Sequence, residues 1–221
     1  MARMPRIVVP NVPHHVTQRG NRRMQTFFTD EDYSTYIGYL AESVEQANTE
    51  VWAYCLMPNH VHLVLVPSNK DGLRAAMADA HRRYTRRINF REGWRGHLWQ
   101  ERFHSFAMDE KHLYRTVRYV ERNPVAAGIC QHAISWRWSS ARAHVSRKED
   151  ALCRVEPMLN RVENWNQYLS SEVSSEECEE LRRHTRTGRP LGNDQFVNFV
   201  EELTGRDLKP GNQAPSRLTS R

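Results

Sequence analysis

The sequence predicts an α+β fold: a ferredoxin-like βαββαβα antiparallel sheet with helices on one face, followed by a C-terminal helical extension. Three observations predict it. Short runs rich in β-formers at 14–19, 50–56, 60–66 and 102–108 read as strands. Stretches with a helical apolar period separate them at about 30–47 and 72–90, and another follows the last strand. The resulting order, β-α-β-β-α-β-α, is that of a split βαβ sheet.

The elements follow in chain order. His14-His-Val-Thr-Gln-Arg19 is a short strand closed by Gly20-Asn21. Asp30 is placed to cap a helix running through Tyr36, Ile37, Leu40 and Val44 to about Ala47. Glu50 to Leu56 is a strand, Pro58-Asn59 a turn and residues 60–66 the next strand, so the two make a hairpin. The helix from Gly72 to Phe90 carries an apolar stripe of Leu73, Met77, Ala80, Tyr84 and Ile88. A connection, Gly93-Trp-Arg-Gly-His-Leu-Trp99, leads to the strand at Arg102–Met108. Asp109 or Glu110 opens a helix that is expected to end at Asn123-Pro124, because proline disfavours helical geometry in the residue before it. From about residue 135 the character changes. Trp136-Arg-Trp138-Ser-Ser is aromatic and suited to packing back on the sheet. Glu176–Arg186 and Gln195–Thr204 read as short helices, the second stopped by Gly205. The expected division is a domain over 1–135, a helical extension over 136–208 and a basic, disordered tail over 209–221.

Composition narrows the function. No run of about 18 apolar residues occurs, so no membrane span is expected. The start, Met-Ala-Arg-Met-Pro-Arg6, lacks the apolar stretch of a signal peptide, which points to the cytoplasm. The four cysteines have no C-x-x-C spacing, so neither a zinc ribbon nor a disulfide scaffold is expected. The net charge is +6, and 28 of the 32 basic residues are arginine. Arginine pairs with phosphate through a planar fork, so the surplus favours a phosphate-bearing partner. Its distribution sharpens this. Residues 1–23 hold five Arg and no acid, and residues 82–122 hold eleven Lys/Arg against five Asp/Glu. Two basic blocks flanking one segment suit a nucleic-acid groove.

The flanked segment is Met57-Pro-Asn-His60-Val-His62-Leu-Val-Leu-Val66. Alternation puts His60, His62, Val64 and Val66 on one face of the strand and Val61, Leu63 and Leu65 on the other. The second face suits burial under helices. The first carries two imidazoles with Cβ atoms roughly 7 Å apart, which suits two ligands of one metal ion. A surface or hydrogen-bonded pair of histidines is the bland alternative, and a catalytic metal needs a third protein ligand. The helix after Asp109 offers one. Its stripe is Leu113, Val117 and Val120, Tyr119 falls outside it, and Asn123 lies one turn above Tyr119. Either these two lie over the histidine face, or Tyr119 packs at an edge and Asn123 caps the helix. Tyr84 is a rival nucleophile but sits within its own apolar stripe, flanked by Arg82, Arg83, Arg86 and Arg87, which are expected to face phosphates. Trp94, Trp99 and Phe103 among Arg91, Arg95 and Arg102 suit base stacking on single strands.

His60-Val-His62 resembles the His-hydrophobic-His (HUH) signature of single-tyrosine DNA transposases. Ala53-Tyr-Cys-Leu-Met-Pro-Asn-His-Val-His62, Gly96-His-Leu-Trp-Gln-Glu-Arg-Phe103 and Arg118-Tyr-Val-Glu-Arg-Asn-Pro-Val125 are similar, more narrowly, to the REP-associated tyrosine transposases. His15-Val-Thr-Gln-Arg-Gly-Asn21 and Trp138-Ser-Ser140 match as well, so the resemblance covers about residues 5–145, and Thr187-Gly-Arg-Pro-Leu-Gly192 adds a weaker match. The resemblance implies that 1–135 is an HUH nuclease domain. It implies Tyr119 as nucleophile, His60, His62 and Asn123 as metal ligands, Mg²⁺ or Mn²⁺ as cofactor, and single-stranded or hairpin DNA of REP palindromes as partner. Arg19, Arg82, Arg83, Arg86, Arg87, Arg95, Trp99, Arg102 and Arg118 are the expected DNA contacts. Glu101 and His104 depart from the Gly and Lys usual in the family, which bears on DNA contacts there. The expected chemistry is metal-dependent cleavage and transfer of single-stranded DNA through a 5′-phosphotyrosine, in the cytoplasm at the nucleoid, with monomer and dimer both open and the monomer favoured. The alternative is a non-catalytic nucleic-acid-binding module on the same sheet.

Overall fold

The computed structural model describes residues 5–209. Four strands form one sheet: β1 (His14–Arg19), β2 (Thr49–Met57), β3 (His60–Pro67) and β4 (His104–Ala107). Their order across the sheet is β2-β3-β1-β4, and every neighbouring pair is antiparallel. The ferredoxin-like expectation is met, with β4 shorter than the sequence suggests.

Two crossover helices, α1 (Asp30–Gln46) and α2 (Gly72–Glu92), cover one face. Val61, Leu63 and Leu65 of β3 are fully buried against Tyr36, Leu40, Met77 and Ala80 of these helices. The N-cap of α1 is Thr29, one residue before the expected Asp30. Thr29 and Asp32 form a capping box, each side chain accepting from the other's backbone N–H. This arrangement satisfies two end donors at once. Asp32 is buried and accepts two further links from the Arg91 guanidinium, tying the start of α1 to the end of α2.

The third helix, α3 (Glu110–Ala126), lies on the opposite face, where Leu113, Val117 and Val120 pack with Ala53, Val64 and Phe106 of the sheet. Helices on one face thus describes α1 and α2, while α3 occupies the histidine side. Asp109 caps α3 by accepting from the His112 N–H. The helix continues through Pro124 rather than stopping at it. In the last turn a proline forfeits only one backbone bond, and Pro124 is buried. Asn123 is therefore a residue within the helix, not its cap.

The chain beyond α3 closes the sheet edges. Leu56 N–H donates to Trp138 O at 2.8 Å and Tyr54 N–H to Ser140 Oγ at 2.9 Å, so residues 138–140 cover the β2 edge. Leu191 N–H donates to Ala107 O at 2.8 Å on the β4 edge. Covering exposed edges removes templates for unwanted strand pairing. Between these ties run α4 (Ala141–Ser146), α5 (Glu156–Leu159), α6 (Trp165–Ser170) and α7 (Ser175–Thr187), and α8 (Asp194–Thr204) follows the second. Trp138 stacks on Tyr33 at 4.8 Å between centroids, as its aromatic character suggests. Past Lys209 the expected basic tail lies outside the described residues. Among the described residues no helix is long and apolar enough to cross a membrane.

Buried imidazoles make stability depend on pH. His14 accepts from Val9 N–H at 3.1 Å and donates to Val12 O at 2.7 Å, so the neutral ring is fully used. Burial lowers its pKa to about 4 and that of His81 to about 3. The unfolded chain binds these protons between about pH 4 and 6.5 and the folded chain does not, so stability falls on acidification through that window. Urea midpoints near pH 5 are expected to lie below those near pH 7, the loss reaching several kcal/mol toward pH 4.

Candidate active site

β3 builds the centre. With Val61, Leu63 and Leu65 committed to the α1–α2 core, His60 and His62 must emerge on the α3 side. The turn residue Asn59 fixes His60. Its Nδ2 donates to Arg23 O at 2.9 Å, so its Oδ1 is the acceptor facing His60 Nδ1 at 2.6 Å. His60 therefore carries its proton on Nδ1 and presents a lone pair at Nε2. His62 is fixed by the neighbouring strand: its Nδ1 lies 3.0 Å from Nε2 of the buried His15, with the two rings parallel within 6°. Gly20, at the end of β1, is required by space, because a Cβ there would sit 2.3 Å from Met24 O.

α3 brings the other two candidates to the same place. Asn123 Nδ2 lies 3.4 Å from His62 Nε2. The Tyr119 ring stands edge-on to His62 at 5.5 Å and to His15 at 6.2 Å between centroids. Residues 60, 62, 119 and 123 thus converge, across about sixty residues of chain, on one half-buried spot.

Burial and the Arg19 charge lower the His60 pKa to about 4; burial, with neighbouring His60, His15 and Arg19, holds His62 well below its usual range. Burial alone lowers His15 to about 3. All three rings are neutral at physiological pH, which leaves nitrogen lone pairs for a ligand. Burial raises the Tyr119 phenol, opposed by the Arg182 charge and by its hydrogen bonds to Asn123 and Arg182. Among the described residues no three His, Cys, Asp or Glu side chains are grouped to hold a metal ion. A third donor of another kind is needed, and the Asn123 amide stands at that position. Two neutral imidazoles and an amide oxygen suit Mg²⁺ or Mn²⁺ with open positions for water or phosphate.

The opposite side of α3 is locked to the extension. Glu121 is fully buried, its Oε1 accepting from Ser140 Oγ at 2.5 Å and His144 Nδ1 at 2.6 Å, its Oε2 from Trp165 Nε1 at 2.8 Å. This network sits two residues from both Tyr119 and Asn123.

The expected DNA contacts scatter. Arg19 is exposed beside His60, its cross-strand partner. Arg82, Arg83 and Arg87 lie on α2, behind the sheet, and pair with Asp79, Glu42 and Glu31. Arg86 borders a cavity of about 370 Å³ with His97 and Thr85 on that same far side. These four do not line the histidine site. Trp99 presents no open ring: it is buried and stacked on His81 at 4.5 Å. Phe103 is buried as well, under the Arg6 guanidinium, whereas Trp94 is exposed. Arg95 and Arg102 are exposed in the loop before β4. Arg118 reaches Glu177 at 3.6 Å. The rival Tyr84 is fully buried on the far face and donates to Thr26 O.

Sequence reasoning missed His15, Asn59 and Glu121. His15 carried a signal, since alternation puts it on the face shared with Thr17 and Arg19, but its partner depends on which strand lies alongside. For Glu121 the local sequence holds none.

Comparison with known proteins bears on this arrangement. The sequence model of a family described as "Transposase IS200 like" matches residues 8–123, from just before β1 to Asn123. A provisionally named REP-associated tyrosine transposase of Haemophilus influenzae is 26% identical over 136 residues, 57% of this chain and 75% of that protein. A solved REP-associated tyrosine transposase bound to a REP hairpin superposes with a TM-score of 0.58 at 21% identity, over 66% of this chain and 87% of that one. The last likeness is one of fold.

Proposed function

The chain belongs to the IS200-like transposase family, and from that premise we propose that it is a REP-associated tyrosine transposase that cleaves and rejoins single-stranded DNA at or beside a REP-type hairpin. The observation that carries the proposal is the meeting of Tyr119 with His60, His62 and Asn123. Tyr119 Oη attacks a phosphodiester phosphorus. A bond from Oη to phosphorus forms, the bond to the 3′ oxygen breaks, and the phenol proton passes to water while the departing oxygen takes one up as a 3′-OH. The 5′-phosphotyrosyl link conserves the ester energy, so attack by another 3′-OH rejoins strands without ATP.

His60, His62 and Asn123 would hold a divalent ion, Mg²⁺ or Mn²⁺, which when bound polarises the scissile phosphate. The chain's own residues orient the parts. Asn59 and His15 fix the two imidazoles, and α3 sets Asn123 against His62 one turn from Tyr119. α3 docks on the sheet of its own chain, so a monomer carries both halves of the site. Arg19, exposed beside His60, grips the strand next to the cut, and the place of action is the nucleoid.

The test is incubation with a labelled hairpin oligonucleotide carrying a single-stranded flank, with Mn²⁺, followed by denaturing electrophoresis. A DNA band shifted by the mass of the protein is expected, and chelation with EDTA is expected to remove it. Cleavage with no strand left on the protein would assign the attack to water and refute the proposal.

A further inference from the structure

Two large rings stand together in solvent at the end of the sheet where β3 begins. Phe28 is 37% exposed and Trp94 40%, and they meet edge to face at 5.8 Å between centroids. One exposed ring is ordinary on a protein surface, but these two are held in place by their backbones. Phe27 is buried and stacked on Tyr33 at 4.5 Å, which anchors the residue next to it. Phe28 N–H donates to Asp32 Oδ2 at 2.9 Å, and the Arg91 guanidinium, paired with that same carboxylate, lies 5.6 Å from the Phe28 ring centre. Trp94 N–H donates to Asn89 O at 2.9 Å just past the end of α2, and Asn89 Nδ2 donates to Gly96 O at 2.9 Å across the loop. The start of α1 and the end of α2 thus present a fixed aromatic pair.

The β2–β3 turn joins this pair to the histidine site. The N–H groups of Thr26 and Phe27 donate to Pro58 O at 2.9 and 3.1 Å, and Arg23 O accepts from Asn59, the residue that fixes His60. Arg22 and Arg23 are exposed along this segment, as is Arg95 beside Trp94. Residues 19–29 hold three arginines and no acid, so a positive path leads from Arg19, next to His60, to the rings.

We propose that Phe28 and Trp94 form a stacking site for an unpaired base of the DNA strand beside the cut, with Arg22, Arg23 and Arg95 on its phosphates. This rests on the function proposed above. Every base has a π-face, so such a platform accepts any sequence, and arginine forks suit the phosphates between the bases. Bases inside the hairpin stem are already stacked on one another and offer no free face. The site therefore selects the single-stranded flank over the stem.

The test measures affinity by fluorescence anisotropy in EDTA, so that binding is read without cleavage. Two labelled oligonucleotides share one hairpin stem; one carries a single-stranded flank and the other is blunt. Full-length wild type, Trp94→Ala, Phe28→Ala and Trp94→Tyr are compared. Each alanine variant is expected to bind the flanked hairpin roughly tenfold more weakly and the blunt hairpin as wild type does, with Trp94→Tyr recovering most of the loss. In parallel, 5-iodouracil placed at successive flank positions and irradiated on wild type is expected to crosslink to Trp94 or Phe28 from one or two adjacent positions only. Alanine variants that bind the flanked hairpin as wild type does, equal losses on both oligonucleotides, or crosslinks mapping elsewhere would overturn the site. A wild-type protein that prefers the flanked hairpin through these rings but forms no covalent adduct with Mn²⁺ would leave the site standing and overturn the cleavage reading instead.

Discussion

Tyr119→Phe is expected to abolish the covalent protein–DNA adduct, lowering its rate by a factor on the order of 10⁴ to 10⁶, as loss of a nucleophile does elsewhere. The reason is specific to one atom. The Phe ring keeps the edge-on contacts with His62 and His15, so packing, fold and DNA affinity should be preserved. Only Oη is lost, and the rival phenol of Tyr84 cannot replace it. Tyr84 is fully buried behind the sheet with its hydroxyl bound to Thr26 O. An unaided phenol is only about 0.1% phenolate at pH 7, and burial raises Tyr119 further. On the proposed mechanism the activation comes from the divalent ion that His60, His62 and Asn123 would hold beside the phenol. Denaturing electrophoresis and mass mapping of the adduct peptide check this. An adduct that persists in the Phe variant, or maps to any other residue, would refute the assignment.

The second large effect concerns stability. Glu121→Ala removes the acceptor of three buried donors, on Ser140, His144 and Trp165, and leaves a gap where the carboxylate sat. Breaking a buried network from one side costs about 3–5 kcal/mol, a large share of the 5–15 kcal/mol typical of a domain. Urea unfolding of wild type and variant measures it. The whole protein, not a detached C-terminal part, should weaken, because the network joins α3 to α4 and α6. A change below about 1 kcal/mol, or a separate early transition confined to the extension, would contradict this account. The two effects separate cleanly: one variant loses chemistry and keeps its fold, the other loses stability at a residue that never meets DNA.

Several features were legible in the residues alone because they are local. Alternation along residues 60–66 assigned each side chain to a face, and the strand period has no other solution once Val61, Leu63 and Leu65 are buried. The limits of β1 and the β2–β3 hairpin follow from turn chemistry at Gly20 and Pro58-Asn59. The apolar stripe of α3 left Tyr119 and Asn123 to one side, which fixed their relation to each other but not to the sheet. The boundary at Pro124 was misread because a rule about the residue before proline is statistical, and here burial of the ring outweighs one lost backbone bond.

The sequence by itself determined the strand and helix order, the paired imidazoles on one face of β3, and the spacing of a phenol and an amide one helical turn apart. Each of these depends on bond geometry within a few residues. Only the tertiary structure decided that α3 covers the histidine face, and that the α2 arginines sit behind the sheet against carboxylates. It alone seated His15 on His62. That pairing joins residues 47 positions apart, and contacts at such separation are set by which surfaces bury against each other, a property of the packed chain that no short window of sequence contains.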